Sequence, residues 1–103
     1  MNNVLTIRFT IKEKHIDAGR PRDPFNCPLC LALADAGYPG AVVRGADVSV
    51  PWEGKLYEGP LPSDASLVAR IVDEQRWDAL ALVRARLPME VEVVLEEREG
   101  IKT

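Results

Sequence analysis

The chain has 103 residues, 47% of them apolar and 28% charged, with a net charge of −3. That profile fits one soluble domain with one core and argues against a broad basic face that neutralises nucleic-acid phosphates. No apolar run approaches the roughly 20 residues that cross a bilayer, and Met1-Asn2-Asn3-Val4 lacks the basic start and apolar core of a secretory leader, so a cytoplasmic protein is expected.

Residues 4–12 alternate, with Leu5, Ile7, Phe9 and Ile11 on one side and Thr6, Arg8, Thr10 and Lys12 on the other, which is the period of a half-buried strand. From 13 to 26 the alternation stops. Gly19, Pro21, Asp23 and Pro24 punctuate a polar loop in which Ile16 and Phe25 are the expected anchors, and a loop this long in a small domain is more often functional than neutral. Residues 28–36 are rich in Leu and Ala. Asn26 or Cys27 suits the N-cap of a helix there, Pro28 its first turn and Gly37 its end. Residues 41–44, 47–51 and 55–57 read as short strands, with turns at Gly45 and Gly54 and with Pro51 confined to a strand end or an edge.

After Gly59-Pro60-Leu61-Pro62, Ser63 or Asp64 caps a second helical region. Its Leu67, Val68, Ile71, Val72, Leu80, Val83 and Leu87 keep helical spacing, thinning over 74–78, so that 64–87 reads as one helix or two. Residues 89–95 alternate again. The order β-α-β-β-(β)-α-β predicts an α+β fold, a small two-layer sandwich with a mainly antiparallel sheet and two helices on one face, ferredoxin-like or split-βαβ-like. Residues 1–97 are expected to form the domain and 98–103 a charged tail. Residues 1–26 carry five Lys/Arg and residues 89–103 five Glu. Pairing the first and last strands would set Arg8 and Lys12 against Glu90 and Glu92, which accounts for that asymmetry without a ligand.

Side-chain chemistry concentrates at Cys27-Pro28-Leu29-Cys30. A helix N-terminus stabilises a thiolate, so the pair can be read as a redox dithiol; the favoured reading is two small buried hydrophobes that seat the helix, since a long polar loop and not a strand precedes the motif. A metal would draw on Cys27, Cys30 and His15, with Asp17 or Asp23 as a fourth ligand, but the usual second Cys/His pair is missing and no metal or other cofactor is expected. His15, the sole histidine, reads as a loop residue that bonds locally, with a Cys27–His15 nucleophilic pair as the alternative. Arg20-Pro21-Arg22 is a compact basic patch suited to an acidic partner or a phosphate. Trp52 reads as either a packed residue or an interface anchor, and Trp77 as core.

Lys14-His15-Ile16-Asp17-Ala18-Gly19, then Asp23, then Cys27-Pro28-Leu29-Cys30-Leu31-Ala32-Leu33-Ala34, with Leu61-Pro62 before a helix and Pro88-Met89-Glu90-Val91 opening a strand, resemble a group of small uncharacterised phage and prophage proteins. Their pattern is a His-Ile-x-x-Gly step followed by Cys-Pro-x-Ala-Leu-Ala. Cys30 stands where that pattern has a small residue, so the second thiol is a feature of this chain. The resemblance implies a phage setting and host-cell cytoplasm, and it brings no established activity. The expected function is that of a non-enzymatic phage-type accessory protein that binds a host or phage macromolecule, inhibition or defence evasion included. The partner is a protein, with nucleic acid and membrane disfavoured and the chain itself a monomer or homodimer. Arg20, Arg22, Trp52 and His15 are the candidate binding residues. The alternatives are a thiol-redox or metal protein centred on Cys27 and Cys30, and a binder of small anions at the helix start.

Overall fold

Alternating residues at the two ends of the chain build the two longest strands, β1 (Val4–Ile11) and β5 (Met89–Glu97). They pair antiparallel from Val4↔Glu96 to Ile11↔Met89, which sets Arg8 opposite Glu92, and the Arg8 Nε to Glu92 Oε2 distance is 2.7 Å. Lys12 lies beyond the ladder. The computed structural model describes residues 3–98, so the expected tail lies outside the described residues except for Arg98, whose N–H donates to the Leu56 carbonyl at 2.8 Å.

Between these strands run α1 (Glu13–Ala18), α2 (Pro28–Asp35), β2 (Val42–Arg44), β3 (Asp47–Trp52), β4 (Lys55–Pro60), α3 (Ser63–Asp73) and α4 (Trp77–Arg84). The five strands form one sheet in the order β1-β5-β4-β3-β2, every neighbouring pair antiparallel. This is the α+β architecture read from the sequence. Within it, β1 takes the sheet edge outside β5, whereas a split βαβ unit would place two strands parallel across a helix. Glu53 (φ 50) and Gly54 (φ 79) form the two-residue turn between β3 and β4, the left-handed pair that a tight hairpin requires.

One face of the sheet is apolar and the other is wet. Ile7, Phe9 and Ile11 of β1, Val43, Val48, Val50, Tyr57, and Val91, Val93 and Leu95 of β5 are buried, and their strand neighbours face solvent. The helices supply the second layer through Leu29 and Leu33 of α2, Val68 and Val72 of α3, and Leu80 and Val83 of α4. Among the described residues the β4–β5 ladder consists of Tyr57↔Glu97 and Glu58↔Glu96, where the β1–β5 ribbon joins the rest of the sheet. Gly59 permits the approach there, since a Cβ at that position would stand 2.7 Å from the Val94 carbonyl oxygen.

Among the described residues there are four helices, where two were expected, or three if 64–87 divides. α3 stops where the apolar stripe thins. The Arg76 and Gln75 N–H groups turn back to the Ile71 and Val72 carbonyls at 3.0 and 3.1 Å, with Gln75 at φ 54, and α4 begins one residue later. α2 ends in the same way at Gly37 (φ 99), where the Tyr38 and Gly37 N–H groups reach Leu33 and Ala34. α1 occupies part of the stretch expected to be loop.

Candidate functional site

The four candidate binding residues lie in three places: His15 on α1, Arg20 and Arg22 in the loop after it, and Trp52 at the end of β3. His15 is on α1 and only 3% exposed. It is the third residue of a one-and-a-half-turn helix, and its ring reaches back to the helix start as a capping-box side chain does: the Lys12 N–H donates to Nδ1 at 2.9 Å. That bond makes Nδ1 an acceptor and leaves the proton on Nε2, which donates to Asp35 Oδ2 at 2.7 Å. Lys14 Nζ meets the same carboxylate oxygen at 3.0 Å. The His15 hydrogen bond, with Lys14 beside it, holds the Asp35 carboxyl below its ordinary value. The local-bonding reading of His15 is the observed one, and the ring links α1 to the C-terminal turn of α2.

Cys27 and Cys30 are both free thiols and both buried, at 3% and 5% exposure. Cys27 is the extended N-cap of α2 and Pro28 follows at its first position, so the two sulfurs lie on the same side of the first turn, 3.4 Å apart. Cys30 Sγ also stands 3.1 Å from the Pro24 carbonyl oxygen. The Cys27 S–H directed at Cys30 stabilises an anion on Cys30 and lowers its pKa; the same hydrogen bond, followed by burial, pushes Cys27 up. Among the described residues no group of three His, Cys, Asp or Glu side chains is placed to hold a metal, and His15 faces Asp35 instead of the sulfurs.

The loop between α1 and α2 is closed by its own hydrogen bonds. The Arg20 N–H donates to the Asn26 carbonyl at 2.9 Å, and Asp23 Oδ1 accepts from the N–H groups of Phe25 and Asn26 at 3.0 and 3.2 Å. The Asn26 side chain donates to Asp23 Oδ2 at 3.0 Å, and these bonds, the Asn26 side chain first, hold the Asp23 carboxyl below its usual range. Arg22 sits at the turn with φ 59, and its N–H donates to Asp73 Oδ1 at 2.9 Å, which pins the loop to the end of α3. The Val43 N–H donates to the Pro24 carbonyl at 3.0 Å, so the loop also covers the outer edge of β2. Arg20 and Arg22 are exposed, and neither enters an ion pair among the described residues. Ile16 is the buried anchor expected; Phe25, expected beside it, is 60% exposed.

Trp52 takes the packed one of its two expected readings, and the core reading of Trp77 is overturned. Trp52 is half-buried against the core, with its ring 5.1 Å from that of Tyr38. Trp77, expected in the core, is 61% exposed, and Leu82 on the same helix is 73% exposed. Leu80 and Val83 take the buried stripe of α4; at 100° per residue Leu82 falls outside it, whereas Trp77, three residues before Leu80, is left in solvent as the first residue of the helix. The spacing carried no signal for this at Trp77, because Trp77, Leu80 and Val83 follow one another at three-residue steps. Arg84 fixes the other end of α4 by bonding Asp17 of α1 at 2.8 Å.

A groove of about 750 Å³ beside β1 is lined by Arg8, Lys12, Lys14, Asp35, Glu90 and Glu92 among others; the Arg8–Glu92 and Lys14–Asp35 pairs match four of these charges, and Lys12 and Glu90 enter no ion pair among the described residues. The N-terminal residues of α2, from Cys27 to Cys30, are all buried. No helix among the described residues is long and apolar enough to cross a membrane. Comparison with protein-family models, with curated proteins and with solved structures finds no match.

Proposed function

We propose that the chain acts by non-catalytic binding to a protein partner, through a surface formed by α4 and the 20–26 loop. The observation that carries this reading is the exposure of Trp77 and Leu82, 61% and 73%, on a helix whose other side is packed into the core. Leaving side chains of this size in water forgoes about 1.5–3 kcal/mol each, which a partner recovers on covering them. Trp and Arg are the residues on which binding energy concentrates. The loop brings Arg20 and Arg22 to the same end of the helical layer, because Arg22 is tied to Asp73, four residues before Trp77. The complementary surface is therefore an apolar pocket with acidic groups at its rim.

The phage setting belongs to the same proposal. It rests on the His15-Ile16-x-x-Gly19 and Cys27-Pro28 pattern, and the partner it favours is a host or phage protein, with inhibition of the partner as the form of action. Trp52 and His15 leave the proposed surface, because one packs on Tyr38 and the other bonds Lys12 and Asp35. The test is capture from host lysate by the wild-type chain and by a Trp77→Ala/Arg22→Glu variant, with equal folding checked by thermal unfolding. A partner retained by the wild type and lost by the variant supports the surface; equal retention removes it.

A further inference from the structure

The two sulfurs are nucleophiles that the binding surface does not use, and their placement is chemically specific. The 3.4 Å between them is about 1.4 Å more than a disulfide's ~2.05 Å, a gap within reach of side-chain rotation on one helical turn. Cys27 also lines a cleft of about 180 Å³ between the loop, β2 and α3, with Arg22, Asp23, Val43, Arg44 and Asp73 among its walls. At roughly 30 Å³ of liquid per water molecule, that space is about six waters' worth, ample for a small oxidant. Cys30, three residues along α2, is not in that lining and stands 3.1 Å from the Pro24 carbonyl oxygen.

We propose that Cys27 and Cys30 form an oxidation site for hydrogen peroxide, with Cys27 attacking the peroxide and Cys30 closing the disulfide. The Cys27 sulfur, as thiolate, attacks one peroxide oxygen; the O–O bond breaks, the sulfur becomes a sulfenic acid, and the departing hydroxide takes the released proton as water. Cys30 then attacks the Cys27 sulfur. The S–O bond breaks, the Cys30 proton leaves with the hydroxyl as a second water, and the S–S bond forms. Two thiols and one peroxide become one disulfide and two waters. The anion of the pair rests on Cys30, and Cys27, the sulfur that lines the cleft, attacks in the minor form in which its proton has crossed the 3.4 Å contact to Cys30. Closure also removes the proton that Cys30 directs at the Pro24 carbonyl, which loosens the loop carrying Arg20 and Arg22.

The experiment uses the full chain, reduced, freed of reductant and treated with hydrogen peroxide alone, then denatured, alkylated and weighed. The wild type is expected to lose two hydrogens and to resist alkylation at both cysteines until a dithiol reductant is added. Cys30→Ser is expected to hold a sulfenic acid at Cys27 that a cyclic 1,3-dione traps, with at least tenfold less adduct at Cys30 in Cys27→Ser. Amide exchange over residues 20–26 is expected to quicken in the oxidised wild type. Two thiols that still alkylate fully after peroxide would overturn the site, and this readout requires no variant to fold. Equal trapping in the two variants would overturn the assignment of Cys27 as the attacking sulfur, and unchanged exchange would overturn the link to the loop.

Discussion

Gly19 lies so close to Pro28 that a Cβ at position 19 would stand 2.5 Å from both Cδ and Cγ of the proline ring. Gly19 has φ −67, a conformation open to any residue, so space is the reason for glycine here. The contact joins the end of α1 to the first residue of α2, beside Cys27. It gives a packing reason for a glycine and a Cys-Pro step at this separation. Gly19→Ala is expected to cost about 1–3 kcal/mol through overpacking. Urea unfolding reads the loss, and a change under about 0.5 kcal/mol would show that the proline yields freely.

His15 satisfies the Lys12 N–H and fills a buried position, so His15→Ala leaves an unpaired donor and a void. The expected loss is about 2–3 kcal/mol in urea unfolding, with the helical signal of the 13–18 segment reduced. A neutral result would mean that water replaces the ring without cost.

Acid should act through Asp35 and Asp23. Both carboxyls are held below 3.8 in the folded chain, Asp35 by the His15 hydrogen bond and then Lys14, Asp23 by the Asn26 side chain and then the Phe25 N–H. A carboxyl whose folded pKa is depressed stabilises the fold above the ordinary value, and that contribution is lost as pH falls through the lowered one. Asp35→Asn is therefore expected to flatten the fall in urea midpoint below pH 3.8. An unchanged slope would show that the His15–Asp35 bond carries no pH dependence.

Gln75 ends α3 in the left-handed region, at φ 54, where glycine has no Cβ penalty. That penalty is about 1–2 kcal/mol for an ordinary side chain, and glycine's greater freedom in the unfolded chain offsets about half of it. Gln75→Gly is expected to stabilise by roughly 0.5–1 kcal/mol in thermal or urea unfolding. Destabilisation would mean that the Gln75 side chain contributes packing of its own.

The ends of the chain were legible because a two-residue period is unambiguous over eight residues. The pairing of Arg8 with Glu92 followed from charge alone. The break between α3 and α4 was visible where apolar residues thin out. α1 was not, because a six-residue helix buries only His15 and Ile16, too few to set a helical period, and Gly19 and Pro21 beside it dominate the local signal. Phe25 and Trp77 were misplaced for one reason: size and hydrophobicity argue for burial, and Trp77 even keeps the three-residue step of Leu80 and Val83, yet as the first residue of α4 it stays in solvent. The burial of the two cysteines was one of the readings open from the sequence; their 3.4 Å separation was not.

Trp77→Ala separates folding from binding. At 61% exposure the side chain contributes little to the core, so unfolding is expected to change by under about 0.5 kcal/mol while partner affinity falls by roughly 2 kcal/mol, about thirtyfold. A large loss of stability would place Trp77 among the packing residues and remove it from the surface.

The most direct measurement places a photo-crosslinking residue at position 82, on the proposed surface, or at position 94, on the wet face of the sheet, where Leu82 and Val94 are 73% and 54% exposed. Illumination in host lysate is expected to give a discrete crosslinked protein from position 82, abolished by Trp77→Ala, and none from position 94. The same product from both positions, or one from position 94 alone, would contradict the assignment of α4 and the 20–26 loop as the binding surface.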